Sequence, residues 1–135
     1  MKIKNLKSKD EATPEIILTG RLTGEPLREL YSNAGLFVLP SYYEGLPIVL
    51  LEALSYGLSC IASDIPANRE VELSDDRYFP PGDCEALAKK LSDFIHRPFT
   101  ESERTAQIEK IRAQYNWHTI AAKTLEVYKS TYCAS

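Results

Sequence analysis

Short apolar runs alternate with stretches of helical spacing along most of this chain. Residues 15–19 (Glu-Ile-Ile-Leu-Thr) form a brief apolar run closed by Gly20, the pattern of a buried strand, behind a polar, lysine-rich leading segment over 1–14. Pro26 stands at a first helical position, Leu27, Leu30, Tyr31 and Ala34 follow at spacings of three and four, and Gly35 marks the stop. A strand over 36–39 ends at Pro40-Ser41. The cycle then repeats with a loop over 42–46, a helix over 47–56 closed by Gly57, and a strand over 58–62.

Beyond Ser63 the chain turns polar, with a short helix expected near 68–73 and an extended piece over 77–79 before Pro80-Pro81-Gly82. Asp83 caps a helix carrying Leu87, Ala88, Leu91, Phe94 and Ile95 on one face. Thr100 and Glu103 form a capping-box pattern for a helix reaching Tyr115. A last helix over 118–132 aligns Trp117, Ile120, Ala121, Thr124, Leu125 and Tyr128 in one stripe. Strands separated by helices predict an α/β fold with a Rossmann-like, three-layer parallel sheet, because parallel strands need helical crossovers and are covered on both faces.

The 135 residues fit one domain, and 44% hydrophobic with 26% charged residues allows a packed core. Sixteen basic against nineteen acidic residues leave a formal charge of −3, so bulk electrostatics gives no hold on nucleic acid, and no nucleic-acid partner is expected. No apolar run is long enough to span a bilayer and the start lacks a secretory core, so a cytoplasmic location is expected. Cys60, Cys84 and Cys133 are widely spaced and read as reduced thiols; with only His96 and His118 to join them, neither a metal nor another cofactor is implied.

The chemistry concentrates in residues 36–63, where Glu44 and Glu52 are the only charged side chains. A carboxylate buried there would need a cation, a cluster of donors or a ligand that supplies donors. Glu44 lies in the loop after a strand, where open parallel sheets bind ligands, and Glu52 leans back toward that loop from the following helix. Free backbone N–H groups of Gly45, Leu46, Ile48 and Val49 at the helix start suit an anion such as phosphate, and Pro47 spends no donor. A pocket with anion donors between two carboxylates suits a ligand bearing phosphates and vicinal hydroxyls, as in a nucleotide sugar. On spacing alone the pair also fits a solvated loop charge and the one exposed position of a buried helix.

The wording around the pair narrows the choice. Phe37-Val-Leu-Pro-Ser-Tyr-Tyr-Glu-Gly-Leu-Pro-Ile-Val-Leu-Leu-Glu-Ala-Leu-Ser-Tyr-Gly57 resembles the donor-site segment of the retaining glycosyltransferases of the two-Rossmann-domain (GT-B) fold, group 1 type, whose Glu-x7-Glu signature falls on Glu44 and Glu52. Ile17-Leu-Thr-Gly20, Leu30-Tyr31, Ile61-Ala-Ser-Asp64, Glu70, Pro81-Gly-Asp83, Asn116-Trp117 and Tyr128 extend the likeness over about residues 16–132. The resemblance implies a single partial nucleotide-sugar-binding domain: a leading segment over 1–14, the sheet and donor site over 15–82, and carboxyl-terminal helices over 83–135. It assigns Glu44 the catalytic position against hydroxyls of the transferred sugar, Gly45, Leu46, Pro47 and Ile48 the approach to sugar and diphosphate, and Glu52 the ribose hydroxyls.

The implied reaction moves a sugar from a nucleoside diphosphate sugar to a saccharide or lipid-linked acceptor with retention, in polysaccharide biosynthesis or a related path. The acceptor would be met through an amino-terminal domain, and the full-length parent could sit peripherally at a membrane. Departures from the family pattern are equally definite. The family's Arg and Lys for the diphosphate stand upstream of the strand over 16–19, Arg21 does not take their place, and Pro66-Ala67 replaces two small glycines. The expectation is therefore an amino-terminally truncated domain that alone transfers no sugar; the alternative reading is an inactive remnant or interaction fragment. A phosphoacceptor signalling domain is disfavoured, because Thr19-Gly20-Arg21 offers no acidic cluster after the first strand. In the strand order 3-2-1-4-5-6 the strands over 16–19 and 36–39 would be third and fourth, with two absent strands between them. One of three outcomes is expected: closure of the first onto the fourth, edge-to-edge self-association of two chains, or a chain of only marginal stability.

Overall fold

A computed structural model describes Ile17 and residues 19–132. Its centre is three short parallel strands lying in sequential order, β1 (Phe37–Leu39), β2 (Cys60–Ser63) and β3 (Tyr78–Phe79). Val38 stands opposite Ile61, and Ala62 opposite Tyr78. All four residues of β2 are buried, as a strand covered on both faces must be, which explains its unbroken apolar or small composition.

Helix α1 (Glu25–Asn33) precedes β1, and α2 (Ile48–Ser55) crosses from β1 to β2. The short α3 (Pro66–Arg69) and a 3-10 turn over 75–77 lead to β3, followed by α4 (Cys84–Ile95), α5 (Glu101–Gln114) and α6 (Trp117–Tyr132). Leu50, Ala53 and Leu54 of α2 meet Cys60 and Ala62 of β2, Val71, Tyr78 and Ile111 of α5 in one core. Leu50 and Ala53 are fully enclosed.

Local signals account for most element ends. Asp83 accepts a hydrogen bond from the Ala86 N–H at the start of α4, and Thr100 and Glu103 form a complete capping box on α5. Helix α2 ends in a Schellman motif: Leu58 N–H bonds to the Ala53 carbonyl at 3.1 Å and Gly57 N–H to that of Leu54 at 2.9 Å, with Gly57 at φ +73°. Gln107 of α5 then reaches across to donate to the carbonyls of Leu54 and Leu58, at 3.2 and 2.9 Å. Arg77 is buried between the rings of Phe94 and Phe99 and donates to Ser59 Oγ and the Cys60 carbonyl, tying α4 and the following loop to the foot of the sheet.

Two expectations change, and a third is covered only in part. The strand expected over 15–19 lies largely outside the described residues, and its two described residues, Ile17 and Thr19, are exposed and join no strand. The helix expected over 68–73 is instead α3, which begins two residues earlier and ends four residues earlier, because Pro66 starts it and Glu72 takes a left-handed φ of 57° that ends any continuation. The helix expected from Pro47 starts at Ile48, since Pro47 has φ −77° and ψ 70°, the centre of an inverse γ-turn. Among the described residues nothing pairs with the outer edge of β1, and a groove of about 410 Å³ opens beside it between Leu27, Leu30, Tyr31, Ala34, Phe37 and Leu58.

Candidate functional site

The loop over 40–47 leaves the carboxyl end of β1 and feeds α2, so Glu44 and Glu52 both hang from the connection that an open parallel sheet reserves for ligands. Glu44 is half-buried and Glu52 exposed, so neither carries the desolvation cost that a buried carboxylate would. Glu52 thus takes the exposed position of a largely buried helix that its spacing left open. At the loop tip Tyr42, Tyr43, Leu46 and Ile48 point into solvent, while the enclosed side chains belong to the strands and to the inner face of α2.

Each carboxylate is held by one hydroxyl. Ser41 Oγ donates to Glu44 Oε1 at 2.6 Å, and Tyr31 Oη donates to Glu52 Oε2 at 3.3 Å. Burial, and then the negative charge of Glu52, push the Tyr31 hydroxyl above its ordinary value, so it stays protonated and remains a donor. Its ring is stacked on Tyr56 at 5.2 Å and tilted against Phe37 at 6.1 Å, which fixes where the hydroxyl points. Among the described residues no Lys or Arg lies within ion-pair distance of Glu44 or Glu52.

The amides between the carboxylates divide in two. Gly45, Leu46 and Val49 N–H groups have no hydrogen-bond partner among the described residues, and all three residues are exposed. The Ile48 N–H, expected to be free, is spent on the Leu46 carbonyl at 2.8 Å across the γ-turn. Pro47 is the cause, for its ring sets the φ that closes this turn and its own side chain is buried. The result is a loop with three unengaged donors beside two acceptors, suited to an anionic group joined to hydroxyls.

Helical spacing places Tyr31 on the apolar face of α1 and says nothing of what its hydroxyl meets. The signal was present as a tyrosine on an otherwise aliphatic face. In the sequence Ser41 marks only a strand end, and Ser63 only the place where the chain turns polar. Among the described residues, no group of three or more His, Cys, Asp or Glu side chains gathers as metal ligands, and no helix is long and apolar enough to cross a membrane.

An open parallel sheet with its polar loop at the strand ends is the architecture of the Rossmann-like GT-B fold. Sucrose-phosphate synthase from Thermosynechococcus elongatus superposes with a TM-score of 0.77 at 29% identity, over 87% of this chain and 30% of that one. Residues 1–114 match the family Glycosyl transferases group 1, and the chain belongs to that family. Alpha-maltose-1-phosphate synthase of Mycolicibacterium smegmatis is 32% identical over 113 residues, 76% of this chain and 29% of its own length. Sulfoquinovosyl transferase SQD2 of Arabidopsis thaliana is 29% identical over 124 residues, 88% of this chain and 24% of its own length. The chain thus spans less than a third of each of these relatives.

Proposed function

We propose that this chain is the donor-binding part of a glycosyltransferase that moves a sugar from a nucleoside diphosphate sugar to a saccharide or lipid-linked acceptor, with retention of configuration. The observation that carries the reading is the placement of three unengaged amides, of Gly45, Leu46 and Val49, on the same connection as two hydroxyl-held carboxylates. The names of the relatives, which describe sugar-phosphate synthesis or glycosyl transfer, support the same direction.

In this reading Glu44 accepts hydrogen bonds from hydroxyls of the transferred sugar, and the half-buried site strengthens those bonds relative to water. Glu52 accepts from the ribose hydroxyls, oriented by the Tyr31 proton. The free amides of Gly45 and Leu46 face the sugar and diphosphate, where donors aimed at a departing negative charge lower the barrier to transfer. The acceptor approaches through a further domain.

Calorimetric titration with UDP-glucose, ADP-glucose and GDP-mannose, each beside its bare nucleoside diphosphate, tests the two roles. Glu52→Gln weakens both ligands of a pair, whereas Glu44→Gln weakens only the intact donor. A hydrogen bond to a charged group is worth about 1.5–3 kcal/mol, so each affected affinity falls by roughly one to two decades. Equal losses of bare diphosphate in the two variants refute the assignment.

A further inference from the structure

Behind Glu44 runs a line of hydrogen bonds deeper than the site itself requires. Ser41 Oγ gives its proton to Glu44 Oε1, and Ser63 Oγ gives its own to the Ser41 carbonyl at 2.5 Å. Asn68 Nδ2 donates to the Ser63 carbonyl at 2.9 Å and to Ser63 Oγ at 3.1 Å. Direction follows from proton counting. A serine hydroxyl has one proton, so Ser63 Oγ, having donated to Ser41, can only accept from Asn68. Turning the Asn68 amide over would set its oxygen against two acceptors.

That orientation leaves Asn68 Oδ1 without a partner, although Ser63 and Asn68 are both fully buried. An unpaired buried acceptor is a standing cost, and an apolar residue of similar volume would avoid it. What the arrangement achieves is a fixed Ser41. The tip of β2 holds the backbone of the residue two places beyond β1, and the hydroxyl of that residue holds one oxygen of Glu44. Oε2 of Glu44 has no protein partner among the described residues.

We propose that Ser63, braced by Asn68, is a positioning residue for Glu44: through the Ser41 backbone it sets the rotamer in which the Ser41 hydroxyl engages Oε1 and leaves Oε2 to a ligand. The inference rests on the donor-site reading for its consequence but not for its geometry.

Two readouts separate these. In the chain labelled with 13C-glutamate, the Glu44 Cδ resonance, identified by its loss in Glu44→Gln, shifts in Ser63→Ala and in Ser41→Ala. It stays in place in Ser55→Ala, a control at an exposed hydroxyl on α2. Calorimetry with UDP-glucose and UDP, ADP-glucose and ADP, and GDP-mannose and GDP gives the second. For the pair that binds, Ser63→Ala lowers affinity for the intact donor by roughly two- to tenfold, the range of one neutral hydrogen bond, and leaves the bare diphosphate unchanged. In a Glu44→Gln background the same substitution has no further effect on donor binding. A merely structural role would weaken donor and diphosphate together, and that result overturns the proposal. An unmoved Glu44 resonance in Ser63→Ala overturns it as well. If the wild-type chain binds none of the six ligands, the donor reading fails, and the resonance alone decides whether Ser63 positions Glu44. Ser63→Cys, which nearly keeps the volume and weakens the donated hydrogen bond, keeps the test available if Ser63→Ala does not fold, and an unmoved Glu44 resonance in it overturns the proposal equally.

Discussion

Gly57→Ala strikes the junction on which the placement of Glu52 depends. Gly57 sits at the left-handed position that closes α2, at φ +73°, where an L side chain adds roughly 1–2 kcal/mol of steric cost. A Cβ built there falls inside the contact radius of Arg104 Cγ, 3.1 Å from Arg104 Cδ and 3.2 Å from Ile108 Cδ1. The nearest atom belongs to the stem of Arg104, not its tip, so relief requires the whole side chain to rotate off α2. Overpacking of this kind costs typically about 1–3 kcal/mol, which brings the sum to roughly 2–5 kcal/mol. For a chain of this size that lowers Tm by on the order of 10 °C. Thermal unfolding followed by far-ultraviolet circular dichroism measures it. The double variant with Arg104→Ala separates the contributions, since it removes the overlap with Arg104 and leaves the backbone cost and the milder approach to Ile108. Part of the loss is recovered, and the cycle shows a favourable coupling of about 1–3 kcal/mol. A single-variant Tm within about 2 °C of wild type, or a double variant with no recovery, refutes the reasoning.

Acid stability follows from the carboxyls that the fold holds below their ordinary range. Hydrogen bonds from Arg69 do this for Asp64, the Ser74 hydroxyl for Asp76, and the Thr100 backbone N–H for Glu103. A carboxyl lowered by folding stabilises the fold above its unfolded pKa, and the contribution is lost as pH falls through the folded value. Tm is therefore level above about pH 5 and declines below about pH 4, less steeply in Arg69→Met; a Tm that rises on acidification contradicts the assignment. Burial pushes the Cys60 thiol up to about 12, whereas Cys84 is exposed. Iodoacetamide at neutral pH labels Cys84 in the native protein and Cys60 only in denaturant, as peptide mass spectrometry reads out. Equal native rates at the two cysteines contradict the burial.

What the sequence by itself determined is what neighbouring residues decide. The caps at Asp83 and Thr100 and the stop at Gly57 were legible because each is a contact within a few residues, and all three hold in the structure. The strands over 37–39 and 60–63 were legible because a covered strand is a short apolar run between breakers. The loop carrying Glu44 and the helix carrying Glu52 were legible through their shared motif. The facing of α2 was not, for its helix is apolar nearly all round and periodicity carries no direction there. Packing against β2 and α5 decided that Leu50, Ala53 and Leu54 turn inward while Ile48 and Val49 turn out. Equally hidden were the hydroxyls that orient the carboxylates' surroundings. Tyr31 meets Glu52 across 21 residues, Ser63 meets Ser41 across 22, and Gln107 caps α2 from 53 residues away. Such contacts depend on how strands and helices come together in space, and a serine or tyrosine gives no sign along the chain of which distant oxygen it will meet.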